Sequence, residues 1–370
     1  MHPCFGCIEP ERKDSQQRKP IVLDDEYAFV HLGRFIDIVH SKSYQDSVCI
    51  GFTAVAPSLD TPLFKGKEVS VSCELFFKTT LRTQETFIEK ALIKAGPVAF
   101  DVVYTKAQYQ ITNNRNKQTV TLSAYGLTGA RVSGGISKDN LETYITFTEI
   151  MSVVMNELER TLYLGPFRQQ PQRAYQSFSS VPREVGGMGE STVALLTNEI
   201  VQKRKREHIE QIASWLSVLR LGNSVDISRL AKSNMFEIKV ETDAEFVIAD
   251  LGYGMSQVLP VLTQCSYAPL SSTLLFEQPE IHLHPLAAAG LARVFMDVVK
   301  NKRCHILAET HSADLMLAVQ IGIREGILPK ESVAIYAVNR KDGQSVLRQV
   351  DVNDDGEVFD NWKVGFSHDF

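Results

Sequence analysis

From residue 47 to residue 122 apolar and polar side chains alternate with period two, and glycine or polar turns interrupt the runs. Alternation puts one face of a strand on a core and the other in water. It predicts strands over 47–54, 69–77, 86–95, 98–109 and 118–122, with Asn113-Asn114-Arg115-Asn116 as a turn. Hairpins in series imply an antiparallel layer rather than βαβ units. A short apolar run at 28–32 and a helix or turn at 33–40 precede them, and a glycine-rich loop follows at 126–140. Later the period lengthens. Ile150, Val153, Val154, Leu158 and Leu162 predict a helix over 148–162; Ile209, Ile212, Leu216 and Leu219 predict another over 192–221. Phe236, Ile238 and Val240 return to alternation and predict a hairpin over 236–251. Helices are expected after Pro285 and over 313–321, and a last hairpin at 333–350 turns at Asp342-Gly343.

Two short apolar runs end abruptly in polar groups: Thr273-Leu-Leu-Phe-Glu277 before Gln278-Pro279-Glu280, and Cys304-His-Ile-Leu-Ala-Glu309 before Thr310-His311-Ser312. Such runs read as buried strands of a parallel sheet, and ligands bind outside the carboxyl ends of those strands. A carboxylate, an amide and an imidazole are therefore expected on one sheet edge. Ahead of them, Asp250-Leu-Gly-Tyr-Gly-Met-Ser-Gln257 opens an apolar helix, so Ser256 is expected as its N-cap and as an anion contact. Glu277 suits Mg2+, which takes one or two carboxylates plus phosphate oxygens. His311 suits a terminal phosphate or its water. Together these groups favour a nucleotide. Arg168 and Arg173 either bind phosphate or pair with local carboxylates and brace a loop.

These stretches resemble the signature, Walker B and switch-histidine motifs of ABC-type ATPases. More closely they resemble bacterial predicted ATP-binding proteins related to RecF and the OLD nucleases, whose Walker B segment reads Glu-Gln-Pro-Glu followed by His-Leu-His-Pro, here Glu277 to Pro285. Tyr163 to Arg168, Val185 to Glu190, His31 to Phe35 and Trp362 to Phe366 extend the resemblance, which spans 21–370. It implies an α/β, ABC-ATPase-like P-loop NTPase fold with an antiparallel β-rich first lobe. Residues 1–20 would be a disordered lead-in. Residues 21–370 would form one ATPase domain: a β-rich lobe at 21–147, a helical linker region and hairpin at 148–249, and the motif-bearing lobe at 250–370.

The resemblance also implies roles. Glu277 becomes the metal-side carboxylate, Gln278 falls at the general-base position, His284 at the D-loop aspartate and His311 at the switch histidine. Gly254, Ser256 and Gln257 belong to the signature segment, which contacts the γ-phosphate held by a partner subunit. ATP and Mg2+ are the implied cofactors, and an ATP-dependent homodimer, with an effector protein, the implied assembly. A glutamine cannot accept a proton as a carboxylate does. Hydrolysis is thus expected to be slow or partner-stimulated, with Glu280 as a substitute base. Relatives suggest DNA repair or phage defence. The competing reading is a degenerate, non-hydrolysing interaction protein. No G-x-x-x-x-G-K-[ST] phosphate loop occurs in the sequence. An N-terminally truncated product is expected ahead of a degenerate one, with ATPase activity belonging to a chain that has the loop. Residues after His311 hold no Glu plus Asp-x-Asp set, so no OLD-like nuclease domain is expected in them.

Composition narrows the class. The 370 residues are 44% hydrophobic and 22% charged, as in a globular protein. A net charge of -5 supplies no general attraction for nucleic acid or an acidic membrane. No apolar run is long enough to span a bilayer and no signal-peptide pattern opens the chain, so a cytoplasmic location is expected. Cysteines at 4, 7, 49, 73, 265 and 304 are scattered, and Cys49, Cys265 and Cys304 read as small reduced hydrophobes. Lys203-Arg-Lys-Arg206 reads as a solvated helix face in preference to a nucleic-acid contact, having no interleaved aromatics. Cys4 with Cys7, His282 with His284, and Asp351 to Gly356 are each too incomplete for a metal site.

Overall fold

Six strands pair in sequence order, each antiparallel to the next: β1 (Val48–Ala56), β2 (Val69–Thr79), β3 (Thr86–Ala95), β4 (Val98–Thr105), β5 (Gln108–Asn113) and β6 (Thr119–Ser123). The computed structural model describes residues 38–39, 43–56, 64, 66–80, 86–105, 108–123, 136–176, 181–202, 205–231, 233–341 and 344–358. Expectations for 1–20, 28–37, the glycine-rich 126–135, Lys203-Arg204, Asp342-Gly343 and 362–366 fall outside them. The chain divides into two compact units after Arg160.

In the first unit the alternation predicts the buried face well. Val69, Val71, Cys73, Leu75 and Phe77 of β2 all point into the core. Helix α1 (Lys138–Glu159) covers that face with Phe147, Ile150, Met151 and Val154, and Phe147 meets Phe100 edge-on at 5.4 Å. Two expectations need correction. The single strand expected over 98–109 is a hairpin, folded so that Tyr104 lies opposite Tyr109. The helix expected over 148–162 begins at Lys138, and Leu162 belongs to the next strand. Its first turns expose Leu141 and Ile145, which blurs the apolar stripe. Cys49 is exposed on β1, contrary to its reading as a small hydrophobe in apolar surroundings.

The second unit contains, in order, β7 (Thr161–Leu164), β8 (Tyr175–Gln176), α2 (Thr192–Val201), α3 (Glu207–Val218), β9 (Ser224–Arg229), β10 (Met235–Glu241) and β11 (Glu245–Val247). It continues with α4 (Tyr253–Tyr267), β12 (Thr273–Glu277), α5 (Pro285–Lys302), β13 (His305–Glu309), α6 (Ala313–Arg324), β14 (Ile335–Lys341) and β15 (Gln344–Val350). The helix expected over 192–221 is therefore two. The first ends at Val201 and the second starts at Glu207. Arg206 pairs with Asp226 at 3.3 Å and Lys205 lies 3.9 Å from Glu207. β10 joins β8, β9 and β11 in an antiparallel sheet; the short β8 and the half-polar β9 carry too little pattern to be read from sequence.

A parallel sheet positions the site. Its order is β13-β12-β7, with Thr273 opposite both His305 and Thr161. β12 is central in that order, with Leu274 and Phe276 buried and Phe276 stacking on Phe295 of α5 at 5.3 Å and 9°. Every residue of α4 from Met255 to Ser266 is buried. Among the described residues no helix is long and apolar enough to cross a membrane.

Candidate functional site

Strands β12 and β13 end level, with Glu277 opposite Glu309, and the backbone N–H of Gln278 donates to the Glu309 carbonyl at 2.8 Å. The two polar tails therefore leave the sheet side by side. Glu277, Gln278 and Thr310-His311 stand on one edge, as the apolar runs predicted. Gln278 turns there with φ 44°, a left-handed conformation uncommon outside glycine, and such strain concentrates at functional turns.

Arg168 holds that turn from beneath. Its guanidinium is buried, donating from Nη1 to the Gln257 carbonyl at 3.2 Å and from Nη2 to the carbonyls of Glu277 and Gln278, each at 3.1 Å. Burial lowers its pKa to about 10, partly offset by the charge of Glu280. Of the two roles open to it in the sequence, bracing is the one its bonds support. Arg173 is exposed and forks onto Asp250, one of its two bonds measuring 2.9 Å. Tyr163, which the sequence marked only as part of a motif, donates its hydroxyl to Glu277 Oε1 at 2.8 Å. Burial first, then this bond and the charges of Glu277 and Glu309, hold the phenol protonated well above its ordinary pKa.

The other half of the edge is a hydrogen-bond net. Oε1 of Glu280 accepts from the Thr310 hydroxyl at 2.6 Å and from the His311 N–H at 3.0 Å. Thr310 Oγ1 in turn accepts from the Ser312 N–H at 3.0 Å, and Ser312 Oγ caps α6 by accepting from the Leu315 N–H at 3.1 Å. The His311 side chain is exposed. His284 is exposed too, capping α5 through a weak bond to Leu286 N at 3.4 Å, with Pro285 suited to the first turn.

At α4 the expectation for Ser256 is corrected. Gly252 is the N-cap, and Ser256 lies a turn inside the helix, 6% exposed, its hydroxyl donating back to the Tyr253 carbonyl at 2.8 Å. The glycines lengthen the polar opening, so the helix starts earlier than the first apolar run implies. Gln257 is also buried, and its Nε2 has no hydrogen-bond partner among the described residues. The exposed start is Gly252-Tyr253, followed by half-buried Gly254. Gly254 must be glycine for packing, because a Cβ there would stand 2.6 Å from the His282 carbonyl.

The donor set suits a metal–nucleotide. Among the described residues no three His, Cys, Asp or Glu side chains cluster as a metal cage. Glu277, at a strand end with Glu309 level in the next strand, suits Mg2+, which takes one or two carboxylates plus phosphate oxygens and water.

A family model described as "AAA domain, putative AbiEii toxin, Type IV TA system" matches residues 126–318, just over half of the chain. No curated protein matches. Solved structures with similarity include an SMC head domain from Thermotoga maritima: 10% identity, 83% of this chain, 100% of that chain, TM-score 0.32. A second is the Smc head domain with an extended coiled coil bound to the C-terminal domain of ScpA, derived from Pyrococcus furiosus: 9% identity, 85% of this chain, 81% of that chain, TM-score 0.35. A third is the SmcHead bound to the C-winged helix domain of ScpA: 10% identity, 79% and 77% coverage, TM-score 0.35.

Proposed function

The chain belongs to the AAA domain family described as putative AbiEii toxin, Type IV TA system, and from that premise we propose that it works as an ABC-type ATPase head acting on Mg-ATP at the edge formed by β12 and β13. One observation carries the reading: two parallel strands end in register, and their next residues, Gln278 and Thr310-His311, share one edge with Glu277. Glu277 would hold Mg2+, with its Oε1 oriented by Tyr163. Bound Mg2+ would neutralise phosphate charge and polarise the terminal phosphoryl group. His311 would meet the terminal phosphate, and Gln278 would orient the attacking water. An amide orients water without taking its proton, so turnover is slow or waits on a partner.

We further propose that ATP closes two heads face to face. Gly252 to Gly254 would present backbone N–H groups to the partner's phosphate, and His284 would line the same face. Gly254 and His284 would act at the signature and D-loop positions that the resemblance gives them, while buried Ser256 and Gln257 shape the helix start. Large apolar side chains are exposed on neighbouring segments: Leu286, two residues after His284, is 58% exposed, Phe167, next to Arg168, 80%, and Met188 52%. An effector protein, and a place in DNA repair or phage defence, remain analogies with relatives. The residues present hold no G-x-x-x-x-G-K-[ST] loop, so the affinity of the 370-residue chain is expected to be weak.

Thermal unfolding tests the reading. A ligand that binds only the native state raises stability by mass action. Millimolar Mg-ATP should raise the Tm, and Mg-AMP should not. Equal shifts with both nucleotides would remove the case for a triphosphate site.

A further inference from the structure

We propose that Glu280 is the positioning residue for His311: its carboxylate pins the backbone of Thr310-His311-Ser312 so that the imidazole is presented at the sheet edge. What His311 then meets rests on the nucleotide reading above; the pinning does not.

The geometry is specific. Glu280 leaves the turn after β12 and reaches across to the segment after β13. One oxygen takes two donors there, the Thr310 hydroxyl at 2.6 Å and the His311 N–H at 3.0 Å. Bonds to an ionised acceptor are shorter and stronger than neutral ones. Thr310 Oγ1 passes the constraint on by accepting from Ser312 N, and Ser312 caps α6. Three consecutive residues are thus tied by side chains, and the exposed group left over is the imidazole of His311.

The same bonds argue against a proton-accepting role. A general base must offer an oxygen to water. Oε1 of Glu280 already accepts twice, and Oε2 is enclosed, with no hydrogen-bond partner among the described residues. Arg168, which clamps the neighbouring Glu277 and Gln278 carbonyls, stands near enough to feel the Glu280 charge. Glu280 therefore joins the strand ends mechanically: one backbone turn follows β12, its carboxylate holds the turn after β13.

Amide hydrogen exchange tests this on the full chain without nucleotide. Glu280→Ala should speed exchange at the His311 N–H by at least about tenfold, while Phe276 in β12 keeps its protection. Glu280→Gln retains an acceptor oxygen and should stay within about threefold of the parent; Glu280→Asp is too short and should resemble the alanine variant. Unchanged exchange at His311 in both Glu280→Ala and Glu280→Asp, or equal acceleration at His311 and Phe276, overturns the proposal. In a chain that carries the G-x-x-x-x-G-K-[ST] loop, phosphate release gives a second readout. If the two residues act as one unit, Glu280→Ala/His311→Ala should be no slower than His311→Ala alone, whereas additive losses would contradict the coupling. A loop-bearing parent that released no phosphate would count against the ATPase reading, and the exchange comparison would still decide the pinning.

Discussion

Arg168 and Gln278 are 110 residues apart in the chain, yet the guanidinium of one donates to the carbonyl of the other at 3.1 Å. The carbonyl belongs to a residue with φ 44°, and the same guanidinium also holds the carbonyls of Gln257 and Glu277. The clamp ties α4 to the end of β12. Arg168→Lys removes the planar fork that serves three acceptors and should cost about 2–4 kcal/mol. Arg173→Ala breaks an exposed pair with Asp250 and should cost less than about 1 kcal/mol. Urea unfolding of both variants checks the contrast; equal losses would mean Arg168 is not a brace.

Gly254 offers a steric test. Alanine usually stabilises a helix over glycine by about 1 kcal/mol. Here the added Cβ would press on the His282 carbonyl, a backbone atom with little freedom to move. Gly254→Ala should therefore destabilise by about 1–3 kcal/mol. A gain in stability by thermal unfolding would show that the turn yields.

Glu184 predicts a pH dependence. Burial, then the charge of Glu190, raises its pKa to about 7 from an ordinary 4.5. Its folded-state pKa is above its unfolded value, so the folded chain binds more protons between those pH values. The favourable term is complete below pH 4.5 and is lost as pH rises through about 7. Glu184→Gln should match the parent near pH 4.5 and exceed it at pH 8 by about 2–3 kcal/mol. A parent at least as stable as the variant at pH 8 would contradict the assigned burial cost.

Gln278→Glu supplies the carboxylate that the water-side position lacks. In a chain that carries the G-x-x-x-x-G-K-[ST] loop, single-turnover phosphate release should rise by at least about tenfold. A fall would mean the amide itself is needed, and no change would mean the water sits elsewhere.

The strand ends were readable because β12 and β13 are short apolar runs that stop at charge, and parallel strands end on one side. The antiparallel layer was readable because β2 and β3 bury one face and wet the other. The start of α1 was harder, since Leu141 and Ile145 face solvent. So was the start of α4, because a glycine rather than a hydroxyl caps it. Tyr163 and Arg168 sit in a recognisable motif, but their partners Glu277 and Gln278 are more than a hundred positions away. Such pairings exist only in the tertiary fold. Glu280 shows the same limit: the sequence offers it as a substitute base, and only the fold shows its carboxylate engaged with Thr310 and His311.

The most direct measurement is a titration of Mg-ATP into the 370-residue chain, followed by NMR at the His311 imidazole. The account predicts a saturable shift with a Kd on the order of 1 mM, about −4 kcal/mol, that requires Mg2+ and disappears in Glu277→Ala. No shift at His311, or the same shift in Glu277→Ala, would contradict a metal–nucleotide site at the ends of β12 and β13.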